Sequence, residues 1–187
     1  MDTLKLYIHQ HQIDPEIIDL IQGLHPENPL RMINQNTLQI DAEIDLYEPL
    51  DYEEIYNLIL TDFDQPTCFI LLPKPLHALL TESFILSTID ALPKHYYQGE
   101  DYLLTLIKRS KETIPTLQKA LSHRLEKSLI ETCLAMADAN MNLSIAAKKL
   151  YMHRNSLHYR IDKIIEETGI NIKTFKGLSV FTQLFRH

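Results

Sequence analysis

Near its C-terminal end the chain concentrates side chains that could do chemistry, in the run Asn142 to Ile161, NLSIAAKKLYMHRNSLHYRI. Read as two helices joined by a tight turn, this run places the small residues Ala146 and Ala147 where a second helix must cross closely. Leu150 closes the first helix and Met152 plugs the turn. Leu157, Ile161, Ile164 and Ile165 supply the buried stripe of the second helix at helical spacing. Burying that stripe leaves His153, Arg154, Asn155, His158, Tyr159 and Asp162 facing outwards. An imidazole, a guanidinium and a carboxamide at the start of a helix are the groups that read base edges when such a helix enters a major groove.

Other chemistries are poorly supplied. His9-Gln10-His11 offers two imidazoles on one side of a strand, and Asp62 and Asp64 form an acid pair, but neither belongs to a wider constellation. The two histidines read more simply as part of a polar N-terminal stretch. Cys133 falls in an apolar helical stripe with no histidine beside it, so it is a core residue rather than a nucleophile. Two cysteines, Cys68 and Cys133, are too few for a disulfide framework or a four-ligand zinc site. Four glycines in the whole chain, with no Gly-rich loop, argue against a phosphate-cradling turn. The expectation is therefore no enzyme, no metal and no cofactor.

The elements that position the C-terminal run are legible around it. Ser128 with Glu131 three residues on fits a reciprocal helix-start box, followed by a face of Leu129, Ile130, Cys133, Leu134 and Ala137. Asn140 is placed to stop that helix, and Gly169 to cap the later one. Upstream, Tyr102–Glu112 and Pro115–Lys127 read as two helices, with Leu117, Leu121 and Leu125 recurring on one face as a candidate dimer contact. The first hundred residues mix periods. Asp14-Pro15 starts a helix carrying Ile17, Ile18, Ile21 and Leu24. Thr37–Tyr47 alternates like a strand, with Ile44 and Leu46 continuing the pattern, and Asp51 with Glu54 starts a second helix. Thr67–Leu72 is a buried strand ended by Pro73; Leu76–Leu92 reads as one helix and His95–Asp101 as a hinge or surface loop.

The C-terminal run resembles the DNA-binding domain of the PucR/CdaR family of bacterial transcription regulators. The likeness lies in Ala146-Ala147, Leu150-Tyr151-Met152 and His153-Arg154-Asn155-Ser156-Leu157, then Tyr159-Arg160-Ile161 and Glu167-Thr168-Gly169, and it extends over about Ser128 to Arg186. It is also similar, from Asn142 to Ile161, to the helix-turn-helix of the factor for inversion stimulation. Tyr151 departs from the glycine usual in the turn of a generic helix-turn-helix, though an aromatic residue there is typical of the PucR/CdaR type. The resemblance implies a recognition helix at about 154–167, with base contacts from His153, Arg154, Asn155 and His158. It implies phosphate contacts from Asn142, Ser144, Lys148, Ser156, Tyr159 and Arg160. Regulators of this type carry a longer N-terminal sensory part, and the first 120 residues here hold no motif that identifies an effector.

Charge separates the two ends. Up to residue 64 there are 14 acids and two bases, a net of −12, whereas from Leu125 onward nine bases meet six acids, a net of +3. The overall −7 thus leaves a polyanion partner open for the basic end. With 45% hydrophobic and 23% charged residues the chain can bury a core, and no apolar run is long enough to span a membrane. The expected fold is α+β, mainly α: residues 1–101 an α+β sensory or dimerisation unit, 102–127 connecting helices, 128–187 an all-α helix-turn-helix domain. The expected protein is a cytoplasmic, homodimeric transcription regulator whose partner is double-stranded DNA. The alternative is an interaction or scaffold module whose helix-turn-helix no longer binds DNA.

Overall fold

The computed structural model describes residues 3–43, 50–63 and 65–186. Its described residues form an α+β fold, mainly α, in two compact units. One holds the residues up to His77 together with Glu82–Gly99, the other Ala78–Thr81 and the residues from Glu100 onward.

The first unit is a five-stranded sheet of order β2-β3-β1-β4-β5, built from β1 (Thr3–His9), β2 (Leu30–Asn34), β3 (Thr37–Glu43), β4 (Cys68–Pro73) and β5 (Tyr96–Gln98). All pairs are antiparallel except β4 with β5. Strand alternation sends Leu6, Ile8, Leu38, Ile40, Phe69 and Leu71 to one face, where Ile17 and Ile21 of α1 (Pro15–Leu24) and Tyr56 and Ile59 of α2 (Tyr52–Phe63) close the core. Both helix starts follow from their caps. The Asp14 carboxylate accepts from the Glu16 amide, and Asp51 from the amides of Glu53 and Glu54. The strand expected over Thr37–Tyr47 is observed to Glu43, and Ile44, Leu46 and Tyr47 lie outside the described residues, as does Asp64.

Two expectations for this unit are corrected. Leu76–Leu92 is two helices, α3 (Lys74–Leu79) and α4 (Glu82–Ile89), because Thr81-Glu82 is itself a helix-start signal in the middle of the apolar run. His95–Asp101 is no loop. Tyr96 and Tyr97 are buried in β5, the Phe69 amide donates to the His95 carbonyl, and α5 (Gly99–Arg109) starts at once. Tyrosines that read as polar surface are aromatic strand formers here.

The second unit is helical. After α5 come α6 (Thr113–Arg124), α7 (Lys127–Asp138), α8 (Leu143–Lys149), α9 (Arg154–Thr168) and α10 (Phe175–Phe185). α7 packs on α8, α9 and α10, and α6 on α9 and α10. Leu117, Leu121 and Leu125 are buried inside the chain by this packing, so their face is not free for a partner subunit. The Ser128–Glu131 box is also corrected. α7 begins one residue before Ser128, Glu126 flanks it with no side-chain cap, and the buried face is Leu129, Thr132, Cys133 and Met136 rather than the stripe through Ile130, Leu134 and Ala137. The Thr132 hydroxyl, turned inward, donates to the Ser128 carbonyl.

Two predictions follow from burial. His9, His25 and His77 are each held below the ordinary imidazole pKa of about 6.5, first by desolvation. The unfolded chain therefore binds more protons than the folded one, so stability is full above that value and is lost as pH falls below it. The thermal midpoint of the first unit should drop between about pH 7.5 and pH 5.5; a midpoint constant across that window contradicts this. In the second unit, a Cβ on buried Gly177 would overlap the Asn171 backbone carbonyl. Gly177→Ala should therefore lower the melting temperature by the equivalent of about 1–3 kcal/mol, and an unchanged melt would refute the close approach.

Candidate nucleic-acid interface

Three helix ends with left-handed residues shape the site. At the end of α7 the Asn140 amide donates to Ala137 and the Met141 amide to Met136, with φ of 48° and 65° at the two residues. This turns the chain into Asn142, whose side chain accepts from the amides of Ser144 and Ile145 and starts α8. At the end of α8 the pattern repeats: the Tyr151 amide donates to Lys148 and the Met152 amide to Ala147, with Tyr151 at φ 52°. Such paired bonds are how a helix stops on a left-handed residue, a position that glycine ordinarily fills. A side chain there costs about 1–2 kcal/mol. Gly169, at φ 68°, ends α9 in the same region without that cost.

Between these turns the buried and exposed residues separate largely as the spacing predicts, although Ile165, expected in the buried stripe, is half-buried. Ala146 and Ala147 are buried at the crossing of α8, and Leu157, Ile161 and Ile164 form the inner stripe of α9. His153, Arg154, Asn155, Ser156, Tyr159 and Asp162 are exposed, while His158 is half-buried. His153 has a structural job as well. Its Nδ1, which must be unprotonated, accepts from the Asn155 amide at 3.2 Å and caps α9. Tyr159 is 71% exposed.

The cations divide into engaged and free. Lys149 pairs with Asp138, Lys163 with Glu126 and Lys173 with Asp162. Arg154 and Lys148 make no side-chain hydrogen bond or ion pair among the described residues, and both are exposed. Arg160 turns back: its guanidinium donates to the Ser128 carbonyl at 3.4 Å and to the Thr132 hydroxyl at 3.3 Å, fastening α9 to the first turns of α7. Beside it, Ser128, Ser156, Tyr159, Arg160 and Lys163 line an open groove of about 500 Å³. The site therefore carries free charge at the start of α9 and at the end of α8, and bound charge in the middle of α9.

The other candidate chemistry lies apart. Nearly buried His9 holds the Thr37 hydroxyl at 3.0 Å through Nδ1 and the Asp90 carboxylate at 2.9 Å through Nε2. His11 is exposed beyond the end of β1, so the two imidazoles do not converge. Cys133 is wholly buried, and desolvation pushes its thiol well above the usual range; Cys68 is likewise raised, to about 12.

Residues 129–182 match the family model of the PucR C-terminal helix-turn-helix domain. That segment is a PucR-type helix-turn-helix domain. Among curated proteins, the uncharacterized protein YxkF of Bacillus subtilis (strain 168) is 44% identical over 111 aligned residues, covering 47% of this chain and 37% of that protein. A leucine-rich protein of Streptococcus dysgalactiae subsp. equisimilis is 31% identical over 78 residues, covering 41% of this chain and 27% of its own. The chain thus spans about a third of the length of the curated relatives it matches. Among solved structures, the regulator of polyketide synthase expression from Bifidobacterium adolescentis aligns with 99% of this chain and 79% of its own, at a TM-score of 0.45 and 15% identity, a likeness too loose to carry the reading further.

Within the PucR-type domain the whole outward display depends on the close crossing at Ala147. Ala147→Leu should overpack it at a cost of about 1–3 kcal/mol. The expected result is a lower melting temperature for the second unit, and an unchanged one would show that the crossing has room to spare.

Proposed function

We propose that this protein is a transcription regulator that binds double-stranded DNA, with α9 lying in the major groove. The observation that carries this reading is the unpaired, exposed Arg154 at the first position of α9, in a domain of PucR type. An arginine at the mouth of a recognition helix can pair with guanine O6 and N7 together, which separates that base from the others by about 1–3 kcal/mol. His153, Asn155 and His158 complete the base-reading set, although His153 divides its ring between the cap and the groove.

Phosphate contacts fall to the flanks. Asn142 and Ser144 stand at the start of α8, and Lys148 is a free cation on its last turn. Ser156 and Tyr159 are exposed along α9. Arg160 gives its Nη1 to Ser128 and Thr132, which holds α9 in position, and keeps its other guanidinium N–H groups for a phosphate. A single recognition helix reads too few bases for a selective site, so the protein acts as a homodimer on two half-sites one helical turn apart. Such a regulator works in the cytoplasm; no helix among the described residues is long and apolar enough to cross a membrane.

Selection from random duplexes tests the reading. An enriched motif with two-fold symmetry is expected, bound by a dimer in light scattering; no enrichment and no retained DNA would leave the interaction-module alternative. Arg154→Ala should relax preference at one base pair of each half-site and weaken binding to the selected duplex more than binding to scrambled DNA. Lys148→Ala should weaken binding to all sequences alike and reduce the salt slope by about 1. Equal loss on cognate and scrambled duplexes for Arg154→Ala would make that arginine a backbone anchor instead.

A further inference from the structure

We propose that Tyr151, in the turn between α8 and α9, is itself a DNA-contacting residue, its ring lying along the sugar–phosphate backbone beside the major groove with the hydroxyl donating to a phosphate oxygen. This rests on the DNA-binding reading above and extends it to a residue outside the base and phosphate sets already named. The ring is 97% exposed, more than any other large hydrophobic side chain among the described residues. Its backbone sits at φ 52°, a region that a bulky side chain adopts only when the surrounding bonds impose it. Those bonds are backbone bonds, from the amides of Tyr151 and Met152 to the carbonyls of Lys148 and Ala147, and glycine would make both of them.

The tyrosine therefore adds nothing to the turn. It gives up the easier backbone of glycine and exposes an aromatic face to water, with no buried area in return. An interaction outside the chain is what remains for the ring to serve. Its neighbours indicate which kind. Lys148 precedes it by three residues and Arg154 follows by three, both exposed and without a partner among the described residues, and the α9 cap at His153 lies two residues on. A phenol between two free cations at the mouth of a recognition helix matches a phosphodiester strand, whose sugars offer an apolar face and whose oxygens accept hydrogen bonds.

The variants Tyr151→Gly and Tyr151→Asn, both compatible with a left-handed backbone, test this because stability and binding should move in opposite directions. In the full chain, Tyr151→Gly should hold or raise the melting temperature by a few degrees. It should weaken binding at least threefold to a selected duplex and to a random-sequence duplex alike, since a backbone contact is blind to sequence. Tyr151→Asn should bind as weakly as Tyr151→Gly, and Tyr151→Phe should fall between them and the native chain. Undiminished binding by Tyr151→Gly overturns the proposal and leaves the ring to a protein partner. A clear fall in melting temperature for both Tyr151→Gly and Tyr151→Asn also overturns it, by showing that the ring serves the fold. Failure of the native chain to bind either duplex removes the DNA-binding reading and this inference with it, whereas native binding with unaffected variants removes this inference alone.

Discussion

The close crossing of α8 at Ala146 and Ala147 is the constraint on which the C-terminal display depends. Both methyl groups are buried, so the backbone of α8 can lie against its neighbours, and α9 must leave the turn in one direction. Leu157, Ile161 and Ile164 then lock its rotation, and Arg160 adds a polar fastening to α7 through Ser128 and Thr132. Once that rotation is set, Arg154, Asn155 and Tyr159 have no choice but to face solvent. The outward display of these side chains is a consequence of apolar packing on the opposite side of the helix.

Charge is arranged to the same end, through pairing rather than abundance. The segment from Leu125 carries only a small positive excess, and most of its cations near α9 are held by Asp138, Glu126 or Asp162. Paired cations contribute little to a distant polyanion, whereas free ones exchange counterions directly for phosphate. Leaving Arg154 and Lys148 unpaired concentrates the available charge at the start of α9 and the end of α8. The acidic N-terminal segment adds net negative charge to the chain and none of the candidate DNA contacts.

How much could be read in advance depends on the range of the interactions. The second unit was largely legible from Asn142 onward because its signals are local: the Asn142 cap, the alanine pair, the period of Leu157, Ile161 and Ile164, and the glycine after α9. The start of α7 is not where local residue types put it, since Ser128 and Glu131 have the residue types of a capping box but Ser128 sits two positions past the N-cap residue Glu126. In the first unit, β1 is not marked by its pattern although Leu4, Leu6 and Ile8 alternate with Lys5, Tyr7 and His9. β1 lies between β3 and β4, and its even burial on both faces hides the contrast that marks a half-exposed strand. β5 is three residues long and exists because β4 is there to pair with it. Within the site, the bonds from Arg160 to Ser128 and Thr132 of α7 involve partners that no spacing rule inside α9 could name. The departure from glycine at Tyr151 was visible from the residue type, but its exposure and left-handed backbone required coordinates.

Mapping backbone amide shifts of the full chain while a selected duplex is added tests the central claim most directly, since it reports where DNA lands without altering any residue. The account predicts that perturbations gather at Asn142–Ser144, Lys148, Tyr151 and His153–Tyr159, with the first unit unmoved apart from a uniform loss of signal as the complex grows. Perturbations centred instead on the β-sheet unit, or on the face of α10 around Phe175 and Leu178, with α9 silent, would contradict it.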